Sequence, residues 1–138
     1  MTDKPPLVRA ALAADIPALA EIYSHHVRHG LASFELEPPD AAEMARRHAC
    51  VTELGLPYLI AEIDGCIAGY AYAAPYRTRP AYRFTVEDSI YIRHDFLGSS
   101  VGSALLPQLI AASEKAGCRQ MIAIIGDSEN RPSIRLHE

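Results

Sequence analysis

The sequence predicts a mixed α/β protein, a sheet with helices packed on its faces, and three observations carry that prediction. Hydrophobic periodicity switches between helical and strand repeats in the order β, α, α, three strands, α, β, α. Asp64-Gly65 stands between two apolar runs, the pattern of a hairpin with a two-residue loop. Thr85 to Gly102, TVEDSIYIRHDFLGSSVG, takes an alternating strand through a Gly/Ser turn into a helix.

The elements follow in order. A short first strand is expected over Leu7 to Ala11 and a helix from Asp15 to His29, with Ile16, Leu19, Ala20, Tyr23 and Val27 on one face. Pro17 is tolerable there because it lies in the first turn. Leu31 to Leu36 is short and apolar, contains Glu35, and is ended by Pro38-Pro39. Asp40 and Glu43 form a variant capping box opening a second helix, which carries Met44, Val51 and Leu54 and stops at Gly55. Strands are expected over Tyr58 to Ile63, Ile67 to Ala73 and Tyr82 to Ile92. A helix over Val101 to Ala116, a buried strand over Arg119 to Ile125 and a further helix from Ser128 to Glu138 complete the series. Pro107 falls inside the third helix, removes its own N–H bond and is expected to kink the axis.

A chain of 138 residues is enough for one hydrophobic core and short for two, so a single domain over 1–138 is expected. With 49% hydrophobic and 22% charged residues it reads as globular. A net charge of −4 gives no basic footprint for nucleic acid. No apolar run approaches the roughly 20 residues that span a bilayer, and MTDKPP is not a signal-peptide pattern. Cys50, Cys66 and Cys118 form neither a CxxC pair nor an even set, which points to a reducing cytoplasm and buried, inert thiols.

Alternate residues of the long strand face opposite ways. Phe84, Val86, Ile90 and Ile92 make an apolar face; Arg83, Thr85, Glu87, Ser89 and Tyr91 make a polar one that includes an acid and suggests a cleft. Asp88 lands on the apolar side, which requires either a local bulge or a paired, partly buried carboxylate. After the strand, unpaired N–H groups at a helix start and the small residues before it make a place for an anion.

Five segments together resemble the GNAT superfamily of acetyl-CoA-dependent N-acetyltransferases, in its phosphinothricin and methionine sulfoximine acetyltransferase branch. They are ASFELEPP (32–39), GLPYLIAE (55–62), GYAYAAPYRTRPAYRFTVEDSIYI (69–92), RQMIAIIGDSEN (119–130) and SIRLHE (133–138). The resemblance implies a mostly antiparallel sheet whose two central parallel strands splay apart, with acetyl-CoA in the gap and its pyrophosphate on the turn before the long helix. Glu87 matches the family's general base. An ammonium cannot attack a thioester, and a carboxylate among apolar strands can have its pKa raised toward that task. The backbone of Ile90, Tyr91 and Ile92 resembles the stretch that holds the thioester and pantetheine arm, and Asn130 matches a pantetheine contact, with a helix cap as its structural alternative. Phe34, Glu35, Arg77, Tyr82 and Arg83 correspond to substrate-side positions; Arg79 is left out. An Arg fork suits a carboxylate or phosphinate. His137 lies where relatives place a proton donor for the leaving thiolate, and a solvated chain-end histidine is the alternative. A small-molecule amine, a homodimer, and no metal, nucleic acid or membrane complete what is implied.

Three departures qualify the match. The family's phosphate motif reads Arg or Gln, two residues, Gly, one residue, Gly or Ala; here those positions are Leu97, Ser100 and Gly102 within Leu97, Gly98, Ser99, Ser100, Val101, Gly102. Leu97 removes a polar side chain and Ser100 adds a Cβ near the pyrophosphate, so weakened cofactor affinity is expected. The Ser99 or Ser100 hydroxyls are candidate extra donors. The irregular helix at Pro107 is the second departure. Third, the chain stops where relatives continue through C-terminal strands, which leaves truncation, completion by a partner, or degeneration open. The alternative function is therefore a weak or inactive acyl-CoA-binding pseudo-enzyme or partner-binding domain. A metal-binding reading of His25, His26 and His29 is set against solvated helix histidines, which are expected.

Overall fold

The computed structural model describes residues 5–29, 37–75, 85–96 and 100–123. Among them five strands form one sheet in the order β1-β2-β3-β4-β5. They are β1 (Leu7–Ala10), β2 (Tyr58–Ile63), β3 (Cys66–Pro75), β4 (Thr85–Ile92) and β5 (Gln120–Ala123), with helices α1 (Ile16–His29), α2 (Ala41–Glu53) and α3 (Val101–Lys115). The first three pairings are antiparallel and β4 pairs β5 in parallel. The expected helix from Ser128, and the expected splay beyond Ala123, lie outside the described residues.

The β2–β3 hairpin turns on Asp64 and Gly65, both at positive φ (52° and 81°), the backbone a two-residue type I′ loop requires. The pairing then slips once. Ala61 faces Gly69 while Glu62 faces Ile67, so Ala68 is an additional residue in β3. Beyond it β3 reads Gly69, Tyr70, Ala71, Tyr72, Ala73, and strand alternation sends the tyrosines to one face and the small residues to the other.

Those two faces build two cores. On one, Tyr58, Ile60, Tyr70 and Tyr91 pack against Ile16, Leu19, Ile22, Tyr23 and Val27 of α1 and Met44 and Val51 of α2. On the other, Ala61, Ala68, Ala71, Ala73 and Val86 receive Val101, Leu105 and Leu109, one residue per turn of α3. Leu19, Ile60, Leu105 and Leu109 are fully buried, worth about 1.5–3 kcal/mol each.

At α2 the Asp40 carboxylate accepts the Glu43 N–H at 2.8 Å, as a cap should. The Glu43 carboxylate turns to Arg46 and Arg47 instead of closing the expected box. Leu54 lies past the helix end and is 61% exposed. On the other side of the sheet α3 runs unbroken through an exposed Pro107.

Two expectations about polar side chains are corrected. Cys50 and Cys66 are exposed and Cys118 half-buried, because Cys50 sits near the end of α2 and Cys66 opens β3 beside the turn. His26 is buried rather than solvated: it shares the helical face of Ile22 and Tyr23. One ion cluster ties the sheet to the start of α1. Arg9 donates to Glu62 of β2 and, through both terminal nitrogens, to Asp15 at 2.9 and 3.0 Å. Asp15 also accepts the Leu12 N–H, and with Arg9 beside it its carboxyl is held below the usual range.

Candidate active site

β4 is the element on which the candidate site is built. Its register against β3 is regular from Gly69↔Ile92 to Pro75↔Val86, so no bulge accommodates Asp88. Of the two alternatives the buried carboxylate is the one found, at 6% exposure. The parallel ladder with β5 covers Thr85↔Gln120 to Asp88↔Ala123, and β4 continues four residues further. Alternation along the β3 ladder decides what those residues offer. Arg93 donates its N–H to Ala68 at 2.8 Å, which places Tyr91 on the β3 side and Ile90 and Ile92 on the β5 side. Of the three expected cofactor-binding strand residues, Ile90 and Ile92 thus direct their backbone groups away from β3. Tyr91 instead packs edge-on against Tyr23, with ring centroids 4.9 Å apart.

Glu87 lies between Ala74 of β3 and Ile122 of β5. Partial burial, and secondarily the Asp88 charge, hold its carboxyl above the ordinary value. One step along the same face, Ser89 is within hydrogen-bonding reach of Tyr72 and Tyr91, and Tyr91 in turn of Tyr23. Burial raises both Tyr72 and Tyr91 above the normal phenol range. This hydroxyl group next to the acid was not singled out from sequence, although Tyr72 and Ser89 are cross-strand partners in the expected alternation.

The end of β4 is held by α1. His26 Nε2–H donates to the Ile92 carbonyl at 2.8 Å, and burial keeps the ring neutral by lowering its pKa. Beyond it, His25 stacks on His94 with centroids 4.2 Å apart and lies 4.3 Å from His29. These rings, with Arg28 and Arg93, line a cleft of about 590 Å³ that Glu87 does not line. Among the described residues no cluster of three or more His, Cys, Asp or Glu side chains could hold a metal ion.

At the start of α3, Ser100 adopts the left-handed conformation at φ 66° and its hydroxyl makes no cap bond. That backbone favours glycine, which explains why the family motif has Gly there. The Ser100 carbonyl accepts the Ala104 N–H at 3.1 Å, leaving the N–H groups of Val101, Gly102 and Ser103 without intrahelical acceptors. An unpaired N-terminal turn with a buried glycine second in line fits an anionic group such as a pyrophosphate. Phe34, Glu35, Arg77, Tyr82, Arg83, Leu97, Gly98, Ser99, Asn130 and His137 lie outside the described residues.

A half-buried acid on the strand beside a parallel neighbour, followed by a helix start that fits an anion, is an arrangement suited to acyl-group transfer. Family comparison gives the arrangement its name. The Acetyltransferase (GNAT) family matches residues 19–138, and the chain belongs to that family. Phosphinothricin N-acetyltransferase of Alcaligenes faecalis is 55% identical over 94% of this chain, which spans 66% of that relative's length. An L-methionine sulfoximine/L-methionine sulfone acetyltransferase of Salmonella typhimurium is 35% identical over 94% of this chain and 75% of its own. A GNAT phosphinothricin acetyltransferase from Sinorhizobium meliloti, solved in complex with acetyl-CoA, superposes with a TM-score of 0.91 at 45% identity, covering 96% of this chain and 71% of that one.

Proposed function

We propose that this chain transfers the acetyl group of acetyl-CoA to the primary amine of a small amino-acid analogue of the phosphinothricin or methionine sulfoximine kind. The observation that carries the reading is Glu87, a half-buried carboxylate with a raised pKa on β4 beside its parallel neighbour β5. Bound acetyl-CoA supplies an activated thioester carbonyl. Glu87 takes a proton from the substrate ammonium, directly or through water, so that a neutral amine can attack. N–H groups on the side of β4 away from β3, at Ile90 and Ile92, are suited to the charge that develops on the carbonyl oxygen. The turn from Leu97 to Gly102 receives the pyrophosphate, with Asn130 on the pantetheine arm. His137 returns a proton to the leaving thiolate. Phe34, Glu35, Arg77, Tyr82 and Arg83 hold the substrate, the arginines by forking onto its acidic group.

In this reading the 138 residues form one acetyltransferase domain that works in the cytoplasm as a homodimer. Support for the compartment is limited to unpaired thiols and to the lack, among the described residues, of any helix long and apolar enough to cross a membrane. Light scattering on the purified chain tests the dimer.

The deciding experiment incubates the protein with acetyl-CoA and phosphinothricin, methionine sulfoximine or methionine sulfone, and follows thiol release with product mass. Acetylation of at least one of these amines is expected. A left-handed Ser100 in the phosphate turn favours the second reading, an acyl-CoA binder without turnover. Thermal stabilisation by acetyl-CoA with no acetylated product would establish that reading instead.

A further inference from the structure

We infer that Gly69 is a positioning residue for the cofactor site: the notch left by its missing side chain seats Val101 and so fixes where the first N–H groups of α3 point. This rests on the proposal that the α3 start receives the acetyl-CoA pyrophosphate.

The geometry is specific to this position. A Cβ built on Gly69 would stand 2.9 Å from the Tyr91 carbonyl oxygen and 2.9 Å from Val101 Cγ1, with Ile92 Cα at 3.4 Å. The backbone does not call for glycine here, since Gly69 is not among the residues at positive φ, unlike Gly55, Gly65 and Gly117. Nor does the α3 side of the sheet demand glycine for its packing. Ala68, Ala71 and Ala73 are each fully buried on that side and each carries a methyl. Only at Gly69, opposite Ile92, does the helix come too close for one.

Of the two contacts that must yield, the one with Val101 has the easier direction. The Tyr91 carbonyl belongs to the backbone of β4 inside a continuous ladder, whereas Val101 is the first residue of its helix. Restoring an ordinary carbon contact of about 3.5–4.0 Å therefore moves Val101 by roughly 0.5–1 Å. Leu105 and Leu109, one and two turns on, are fully buried against the sheet and hold the rest of α3. The displacement is thereby concentrated in the first turn, where the N–H groups of Val101, Gly102 and Ser103 have no intrahelical acceptor. A shift of that size misdirects donors that act by aim, while the Glu87 side chain lies on the opposite face of β4 from α3.

Titration calorimetry with acetyl-CoA and steady-state kinetics test this on the full chain. Gly69→Ala is expected to weaken acetyl-CoA binding, and to raise its KM, roughly tenfold to a hundredfold, with kcat and the amine KM changed less than about twofold. Val101→Ala empties the notch from the other side and is expected to weaken binding several-fold while Leu105 and Leu109 keep the helix docked. In Gly69→Ala/Val101→Ala one of the two clashes is removed, so the combined loss should be smaller than the product of the single losses. A role confined to stability would lower Tm in all three variants and leave acetyl-CoA affinity unchanged; that result overturns the inference. Should Gly69→Ala fail to fold, unchanged affinity in Val101→Ala overturns it equally. If the wild-type chain itself binds no acetyl-CoA, the cofactor reading of α3 falls, and this inference with it; wild-type binding retained in Gly69→Ala removes this inference alone.

Discussion

The two faces of the sheet are packed by opposite means. Toward α1 and α2 it presents rings: Tyr58, Tyr70, Tyr72 and Tyr91, with Tyr58 and Tyr72 stacked 4.8 Å apart. Toward α3 it presents Gly69, Ala71 and Ala73, and one helix closes down on them. A face of large amphipathic rings makes a thick layer that keeps hydroxyls beside Glu87. A face of small residues makes a thin one and brings a helix start close to the strand that bears the acid. In the proposed function the difference lets one strand serve both halves of a group-transfer site, with chemistry on the thick side and cofactor grip on the thin side.

Removing the acid from the thick side should have the largest effect. Glu87→Gln is expected to lower kcat by about 10²–10⁴-fold, while acetyl-CoA affinity stays within twofold in calorimetry. In the wild type the acid limb of the kcat/KM profile should lie above the ordinary carboxylate value of 4.5, because the protonated form cannot accept a proton and Glu87 is shifted upward. Equal turnover in Glu87→Gln would remove the base assignment. On the thin side, Leu105→Ala should cost about 2–5 kcal/mol in denaturant unfolding, since its side chain is fully buried between α3 and the sheet. A loss below 1 kcal/mol would mean that the small-residue face is less tightly closed than described.

A smaller effect is expected where the thin side meets the phosphate turn. Ser100→Gly replaces a left-handed non-glycine residue and should raise stability by about 1 kcal/mol, read as a higher Tm, with acetyl-CoA binding maintained or improved. The smallest is a pH effect on the thick side. Burial lowers the pKa of His26 and His25 below 6.5, with His94 and His29 adding repulsion at His25. The unfolded chain then binds more protons, so stability is full above pH 6.5 and declines as pH falls toward the folded-state values. Unfolding midpoints at pH 7.5 and 5.5 should differ in that sense, and His26→Gln should flatten the slope. A steeper slope in the variant would exclude His26 as its source.

Much of this was legible in the chain. The hairpin at Asp64-Gly65, the cap at Asp40 and the alternation along Val86 to Ile92 are local signals, set by φ preference, a side-chain acceptor and period two. The role proposed for Glu87 rests on the residues around it, since a strand carboxylate by itself fits a simple ion pair equally well. What the sequence hid depends on approach between distant segments. His26 reads as one of three helix histidines until its face is matched to Ile22 and Tyr23 and its partner is found at Ile92, 66 residues away. Gly69 reads as a weak point in a strand until the helix that needs the gap is in view. The thiols were misjudged for the same reason. Exposure of Cys66 follows from its place beside a turn, not from its residue type.

The additional residue in β3 has a consequence for how the chain tolerates change. Ala68 and Gly69 are neighbours in sequence, yet both serve the α3 side, while Ile67 and Tyr70 flank them on the other. The slip at Ala68 therefore resets the phase of the strand, so that the hairpin tip and the central sheet count odd and even differently. Losing Ala68 would remove the additional residue and leave Ile67, Gly69 and Tyr70 alternating on the faces they already hold. A deletion at the slip is thus absorbed, whereas one in the regular run from Tyr70 to Ala73 exchanges inside for outside beyond it.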